Sequence, residues 1–249
     1  MVRTPRQEAP LPRLVRNQAR WTRRWEEIQA GRRRGEWATK AAKKALRPGL
    51  ERLAHGKCAF CESPLGVTAD PGIEHYVAKT IAVGLAFEWD NLFPACPKCN
   101  GAKGNTDHNN VLLKPDAEDP EPYFWVHPDT GELQPHPALD EARRGRAVFT
   151  RDLCDLNRRG LTSQRAELYT RVGRWLNRVL HCGRDPTGQL QEELEEFLRP
   201  EAAYKLVVRH VLERRGRPDL AAEDRRRFEA RPQTTSSFTA SQRTLRSRR

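Results

Sequence analysis

No stretch of the 249-residue chain approaches the ~18 consecutive apolar residues of a membrane span. The longest apolar run, Ile81 to Phe87, has seven residues and includes a glycine. An integral membrane protein is therefore excluded on the sequence. The opening Met1-Val2-Arg3-Thr4-Pro5-Arg6 has neither an apolar core nor a cleavage site, so no secretory signal is expected. Pro5, Pro10 and Pro12 would break the amphipathic helix of a transit peptide, and the expected location is the cytoplasm. Aromatic residues are scarce (7%) and apolar content is 37%, so core-forming material is modest. Without a secretion signal, the six cysteines are not expected to form disulfides.

Charge is plentiful and uneven. The chain carries 45 basic and 33 acidic side chains, a net +12. Residues 1–57 carry +11 and residues 151–249 carry +8, while 58–113 and 114–150 carry −3 and −4. Basic flanks attract a polyanion, and an acidic middle suits a divalent cation. Of the 45 basic residues 36 are arginine, however, and coding bias would produce the same excess without nucleic acid.

Leu14, Trp21, Trp25 and Ile28 predict an amphipathic helix over 11–30. A second helical stretch is expected from Glu36, interrupted by Pro48-Gly49 and resuming to Gly56. Trp21, Trp25 and Trp37 are read as core anchors rather than base-stacking platforms. Tyr123–His127 and Glu132–Gln134 predict a hairpin around Asp129-Thr130-Gly131. Leu161, Leu168, Val172, Trp175, Leu176 and Val179 mark a further helix capped by Thr162 or Ser163. Pro200 and Pro218 are expected to open two more. Residues 231–249 hold five arginines and no acid, and are expected to form a disordered basic tail, either phosphate-binding or inert.

Four cysteines form two pairs, Cys58-Ala59-Phe60-Cys61 and Cys96-Pro97-Lys98-Cys99, separated by 34 residues. Two residues between ligands let a tight knuckle aim both thiolates at one ion, and two knuckles complete a closed tetrahedral structural zinc site. Cys154 and Cys182 stand alone and are read as small buried hydrophobes. Between and after the pairs come Ile73-Glu74-His75-Tyr76, Trp89-Asp90-Asn91-Leu92 and Cys99-Asn100-Gly101-Ala102-Lys103-Gly104-Asn105. His55, His108, His127, His136, His181 and His210 have no comparable setting, and His108 is read as part of a polar turn over 107–110.

The order Cys-x-x-Cys, Glu-His, Asn-Leu, Cys-x-x-Cys-Asn-x-x-Lys resembles the HNH endonucleases of the ββα-metal fold with a four-cysteine zinc. More narrowly, Cys-Ala-Phe-Cys-Glu-Ser, Ile-Glu-His-Tyr and the run from Trp89 to Asn105 resemble the HNH nucleases of Septu-type and retron-linked anti-phage defence systems. The resemblance is strong over 58–105 and looser over 111–157. Many relatives have Arg-Pro-Lys after the Glu-His-aromatic step, where this chain has Val77-Ala78-Lys79.

The resemblance implies a mostly helical α+β protein with a small ββα-metal module embedded between helical segments. Its expected divisions are a basic helical segment (1–57), the HNH module (58–113), a Pro-rich connector (114–150), a helical region (151–230) and the tail (231–249). It implies a DNA-binding phosphodiester hydrolase in which His75 is the general base. Glu74 and Asn100 would hold a catalytic Mg²⁺ or Mn²⁺, and Asn91 would orient the loop opposite His75. Lys79 and Lys103 are the candidate phosphate contacts, Lys103 being equally readable as a solvated helix charge. A Glu-His pair in a flat strand points to opposite faces, so this chemistry needs the pair at a strand end or bulge. The implied partners are nucleic acid (DNA first), an ATPase subunit, and a retron reverse transcriptase with its non-coding RNA. The alternative is a zinc module that binds nucleic acid or protein without cutting. That reading leaves Glu74, His75, Asn91 and Asn100 unexplained.

Overall fold

The computed structural model describes residues 1, 3–6, 10–66, 71–108, 110–181 and 188–230. Cys182, Asn109 and the expected tail at 231–249 lie outside the described residues. Eight helices and four short strands follow one another among them: α1 (Pro12–Gln29), α2 (Lys40–Leu53), β1 (Gly72–His75), β2 (Leu92–Ala95), α3 (Pro97–Lys103), β3 (Phe124–Val126), β4 (Leu133–Pro135), α4 (Glu141–Leu153), α5 (Arg159–His181), α6 (Gln189–Leu198), α7 (Lys205–Arg214) and α8 (Pro218–Glu229). The protein is mostly helical α+β with two separate two-stranded sheets. No helix among the described residues is long and apolar enough to cross a membrane.

The antiparallel pair β1–β2 separates two cores, and its two-residue period decides what goes where. Its register pairs Gly72 with Ala95, Ile73 with Pro94, Glu74 with Phe93 and His75 with Leu92. Phe93 and Ala95 join the larger core with Phe60, Tyr76, Leu112, Leu113 and the apolar faces of α5 and α7. Leu92 belongs to the smaller core, built by Leu14, Trp21 and Trp25 of α1, Leu46 and Leu50 of α2, and Phe87 and Trp89. Trp21 and Trp25 are thus buried anchors, and Trp37 packs at the edge of the same core. Arg6 braces β2 across both cores. Its guanidinium lies over the rings of Trp89 and Phe93 at 5.0 and 4.7 Å and donates to the Leu92 carbonyl at 2.7 Å.

Several elements depart from the sequence expectations for identifiable reasons. The second helix starts at Lys40, where the Thr39 side chain accepts from Ala42 N, and runs unbroken through Pro48. An interior proline costs about 3 kcal/mol, offset here by close packing at Gly49. A Cβ there would stand 2.8 Å from Leu11 Cδ1 and 3.0 Å from the Trp89 ring. Thr162 and Ser163 lie inside α5 rather than capping it, and the Thr162 hydroxyl donates back to the Arg159 carbonyl at 2.9 Å. Pro218 opens α8 as expected, but Pro200 follows the end of α6. A proline there stops a helix because it cannot extend one. On α7, the buried side chain of Arg209 donates to Asp224 of α8 at 2.7 Å and to Glu121 at 2.8 Å, and Lys205 pairs with the same aspartate.

The expected hairpin forms, with β3 and β4 paired and Gly131 in its turn at φ +70°. Gly131 lies against α5 so closely that a Cβ would fall 2.0 Å from the Thr162 carbonyl oxygen and 2.7 Å from Ala166 N. Gly131→Ala should therefore push the hairpin off α5 and strain its own backbone, a loss of about 2 kcal/mol or more. Thermal unfolding should show a melting temperature lower by about 4–8 °C; an unchanged value would contradict this packing.

Candidate functional site

The first centre is made of sulfur. Cys58 and Cys61 lie in the tight loop after α2, where the Cys58 N–H donates to the Ser63 carbonyl and the Glu62 N–H donates to the Cys58 carbonyl. Cys96 caps α3, its sulfur accepting from Cys99 N at 3.4 Å, and Pro97 supplies the fixed φ of a first helical residue. The ligand atoms of all four lie within 4.8 Å of one another, and the Cys61 and Cys96 sulfurs are 3.8 Å apart. A tetrahedron with Zn–S bonds of about 2.3 Å has S···S edges of about 3.8 Å. Cys58, Cys61 and Cys99 are buried and Cys96 is partly so. Within the cluster, hydrogen bonding from Cys58 pushes the Cys61 and Cys96 thiols down and the Cys99 thiol up, while burial pushes the Cys58 thiol up. Donor type, spacing and burial all fit a closed structural zinc site. No other group of three or more His, Cys, Asp or Glu side chains is placed to share a metal among the described residues.

Sequence reasoning missed what surrounds the sulfurs. Arg158, from the turn before α5, directs Nη1 to Cys99 Sγ at 3.5 Å and Nη2 to Cys61 Sγ at 3.5 Å and Cys96 Sγ at 3.6 Å. The Ser63 hydroxyl lies 3.3 Å from Cys61 Sγ and 3.1 Å from the Tyr204 hydroxyl, which donates to Gln164. No local pattern announces Arg158, which reaches the cysteines from 59 to 97 positions away, or Tyr204, which meets Ser63 across 141 positions.

The second centre is the end of β1. Glu74 and His75 are each only 3% exposed, and strand alternation sends them to opposite faces. Glu74 turns toward α3 and pairs with Lys103 Nζ at 2.8 Å; the same ammonium donates to the His75 carbonyl at 2.8 Å. Burial pushes the Glu74 carboxyl up against the opposing pull of Lys103. Lys103 itself is 0% exposed, so it is neither a solvated helix charge nor a surface contact in this conformation. Its ammonium neutralises a buried carboxylate inside the module. Asn100 lies beside the start of β1, with Nδ2 3.0 Å from the place a Cβ on Gly72 would occupy.

His75 faces the smaller core. Its Nε2 is 3.0 Å from the Ala86 carbonyl, and Trp37 meets the ring edge-on at 4.6 Å. Burial lowers the imidazole to about 3, so the neutral form dominates at pH 7. With Nε2–H donating to Ala86, the free lone pair is on Nδ1. Asn91 closes the loop that follows: Oδ1 accepts from Val77 N at 2.7 Å, and Nδ2 donates to the Val77 and Leu85 carbonyls at 3.0 Å each. The Lys79 carbonyl accepts from Trp25 Nε1 at 3.0 Å, which ties this loop to α1. His108 is no exposed turn residue. It is buried, its Nε2 is 2.7 Å from the Tyr76 carbonyl, and its ring packs edge-on against Tyr76. Cys154 is buried as expected, which raises its thiol to about 12.

Fold and site together define a mostly helical α+β protein with a largely buried four-cysteine cluster able to hold a metal, beside a short hairpin and helix. No family model matches the chain. Among curated proteins it is similar to Septu protein PtuB of Bacillus thuringiensis, 30% identical over 122 residues covering 48% of this chain and 44% of that protein. It is also similar to Septu protein PtuB of Bacillus mycoides (strain KBAB4), 26% identical over 149 residues covering 48% of this chain and 49% of that protein. The chain thus spans about half the length of the curated relatives it matches. These distant homologues are defence-system proteins.

The sulfur centre should hold about one zinc per chain after purification without added metal, as elemental analysis would register. Cys96→Ser removes a thiolate ligand but keeps an N-cap acceptor for α3, so the expected loss of both zinc content and melting temperature would report the metal. Metal-free protein with unchanged stability would exclude this arrangement.

Proposed function

We propose that the chain is a metal-dependent HNH-type endonuclease that hydrolyses nucleic-acid phosphodiesters in anti-phage defence. One observation supports this reading: Glu74 and His75 end β1, Asn91 immediately precedes β2, and Asn100 lies on α3, a hairpin–helix unit whose helix starts on a cysteine knuckle. The similarity to Septu protein PtuB supports the defence role.

In this reading His75 takes the proton of the attacking water on Nδ1 as the water oxygen bonds to phosphorus and the ester oxygen departs. Asn91 fixes the loop that carries the Ala86 carbonyl, and so the orientation of the ring. Glu74 and Asn100, neighbours along the β1–α3 seam, offer oxygen to a hard divalent ion, Mg²⁺ or Mn²⁺. Such an ion supplies charge stabilisation at the phosphate. Lys103 pairs with Glu74 here, so a divalent ion held by that carboxylate would have to displace it, and Trp37 would have to leave the His75 ring for a substrate to approach. The burial of Glu74 and His75 is the observation that favours the second reading, a zinc module that binds without cutting.

The phosphate surface in this proposal is α1. Arg13, Arg16, Arg20 and Arg23 are exposed at helical spacing opposite Leu14, Trp21 and Trp25, and no carboxylate lies between Pro12 and Trp25. Trp25 ties this helix to Lys79, which is partly buried at the rim of the candidate site. DNA is the expected substrate and the cytoplasm the place of action. An ATPase subunit, or a retron reverse transcriptase with its non-coding RNA, is the partner that would trigger opening.

A plasmid-nicking assay with Mg²⁺, Mn²⁺ or EDTA tests the chemistry. His75→Gln should reduce cleavage by about 10²–10⁴-fold, while Glu74→Ala and Asn100→Ala should raise the metal concentration required. Nicking at the wild-type rate by His75→Gln would remove the histidine from the mechanism, and no nicking by any form would favour the binding module.

Changing all four α1 arginines to glutamine should flatten the log–log salt dependence of DNA binding by about 3–4, near 0.9 for each phosphate no longer neutralised. Titrations in EDTA across a salt series measure this without cleavage. An unchanged slope would move the phosphate surface elsewhere and leave the nicking result untouched.

A further inference from the structure

We infer that Arg158 is a positioning residue for the zinc centre: it balances the charge of the bound thiolates and makes the start of α5 depend on them. The inference rests on the four cysteines holding zinc. Four thiolates around Zn²⁺ carry a net charge of −2, and burying it without compensation is costly. Arg158 brings one positive charge and a planar fork of donors to three of the four sulfurs, at 3.5, 3.5 and 3.6 Å. The fork is held in place, since Nη1 also donates to the Asp155 carbonyl at 2.9 Å in the turn where Asp155 adopts φ +47°.

The backbone of the same residue begins α5. Its carbonyl accepts from Leu161 N at 2.9 Å and from Thr162 N at 3.3 Å. The side chain is therefore fixed by sulfur while the main chain sets the first turn of a helix that buries Leu161, Leu168, Val172, Trp175 and Leu176. A second line reaches the same helix by a different route, from Cys61 through the Ser63 and Tyr204 hydroxyls to Gln164. Hydrogen bonds to a zinc-bound thiolate draw charge from the sulfur and restrain its reaction with electrophiles and with protons. Arg158 thus serves both retention of the metal and registration of the C-terminal helices on it.

The test compares wild type, Arg158→Met and Arg158→Lys as full-length chains. Zinc affinity is read by competition with a chromophoric chelator, and the sulfur-to-metal charge-transfer band after Co²⁺ substitution reports the thiolates directly. Arg158→Met should bind zinc about 10–100-fold more weakly, shift the Co²⁺ band, and alkylate faster with iodoacetamide. Arg158→Lys keeps the charge and loses the fork, so it should lie between the two. Met variant protein with wild-type affinity and an unshifted band would overturn the inference. Should that variant fail to fold, the lysine variant decides, and wild-type behaviour there would overturn the role of the fork. A wild-type chain that binds no zinc or Co²⁺ would instead defeat the zinc reading on which the inference rests.

Discussion

Four sulfurs held within 4.8 Å of one another in the protein interior are the constraint on which the rest depends. As thiolates they would repel, and a cation such as zinc held at their centre would make the arrangement stable. Everything that positions the candidate site begins there. Cys96 ends β2 and caps α3, so the strand opposite Glu74 and His75 and the helix carrying Asn100 and Lys103 share one anchor. On the other side, Arg158 carries the same anchor to α5 and the larger core.

The second organising fact is the two-residue period of β1. It places Glu74 beside Lys103 and His75 beside Trp37, so neighbours in sequence are engaged by opposite sides of the molecule. An engaged imidazole and an engaged carboxylate are easy to stabilise and hard to use. Burial holds the His75 imidazole down to about 3 and so sets its resting protonation state as neutral.

What was legible in the sequence was local. The paired cysteines, the amphipathic stripe of α1 and the turn around Gly131 each announce themselves within a few residues. The pairing of Lys103 with Glu74 was not legible because its partner lies 29 positions earlier on another element, and neither a lysine nor a glutamate signals which of its neighbours it will find. Pro48 reads as a break in any local scheme. In the fold the helix runs on through it, and Leu11 and Trp89 close on Gly49 in the next position. His108 and Arg158 were invisible for the same reason: their roles are set by Tyr76 and by three sulfurs across the fold.

Seen as polymer physics, the cysteine centre is a clip that closes a loop. Glu74, His75 and Asn91 all lie in the 34 residues between its two knuckles. The entropy of closing such a loop grows only with the logarithm of its length, about 0.6 kcal/mol for each doubling. The clip therefore fixes the two ends of the segment and leaves its length almost free. Insertions or deletions between the first knuckle and β1 should cost little as long as the β1–β2 register survives, so this stretch can diverge in length while the chemistry-bearing residues keep their places.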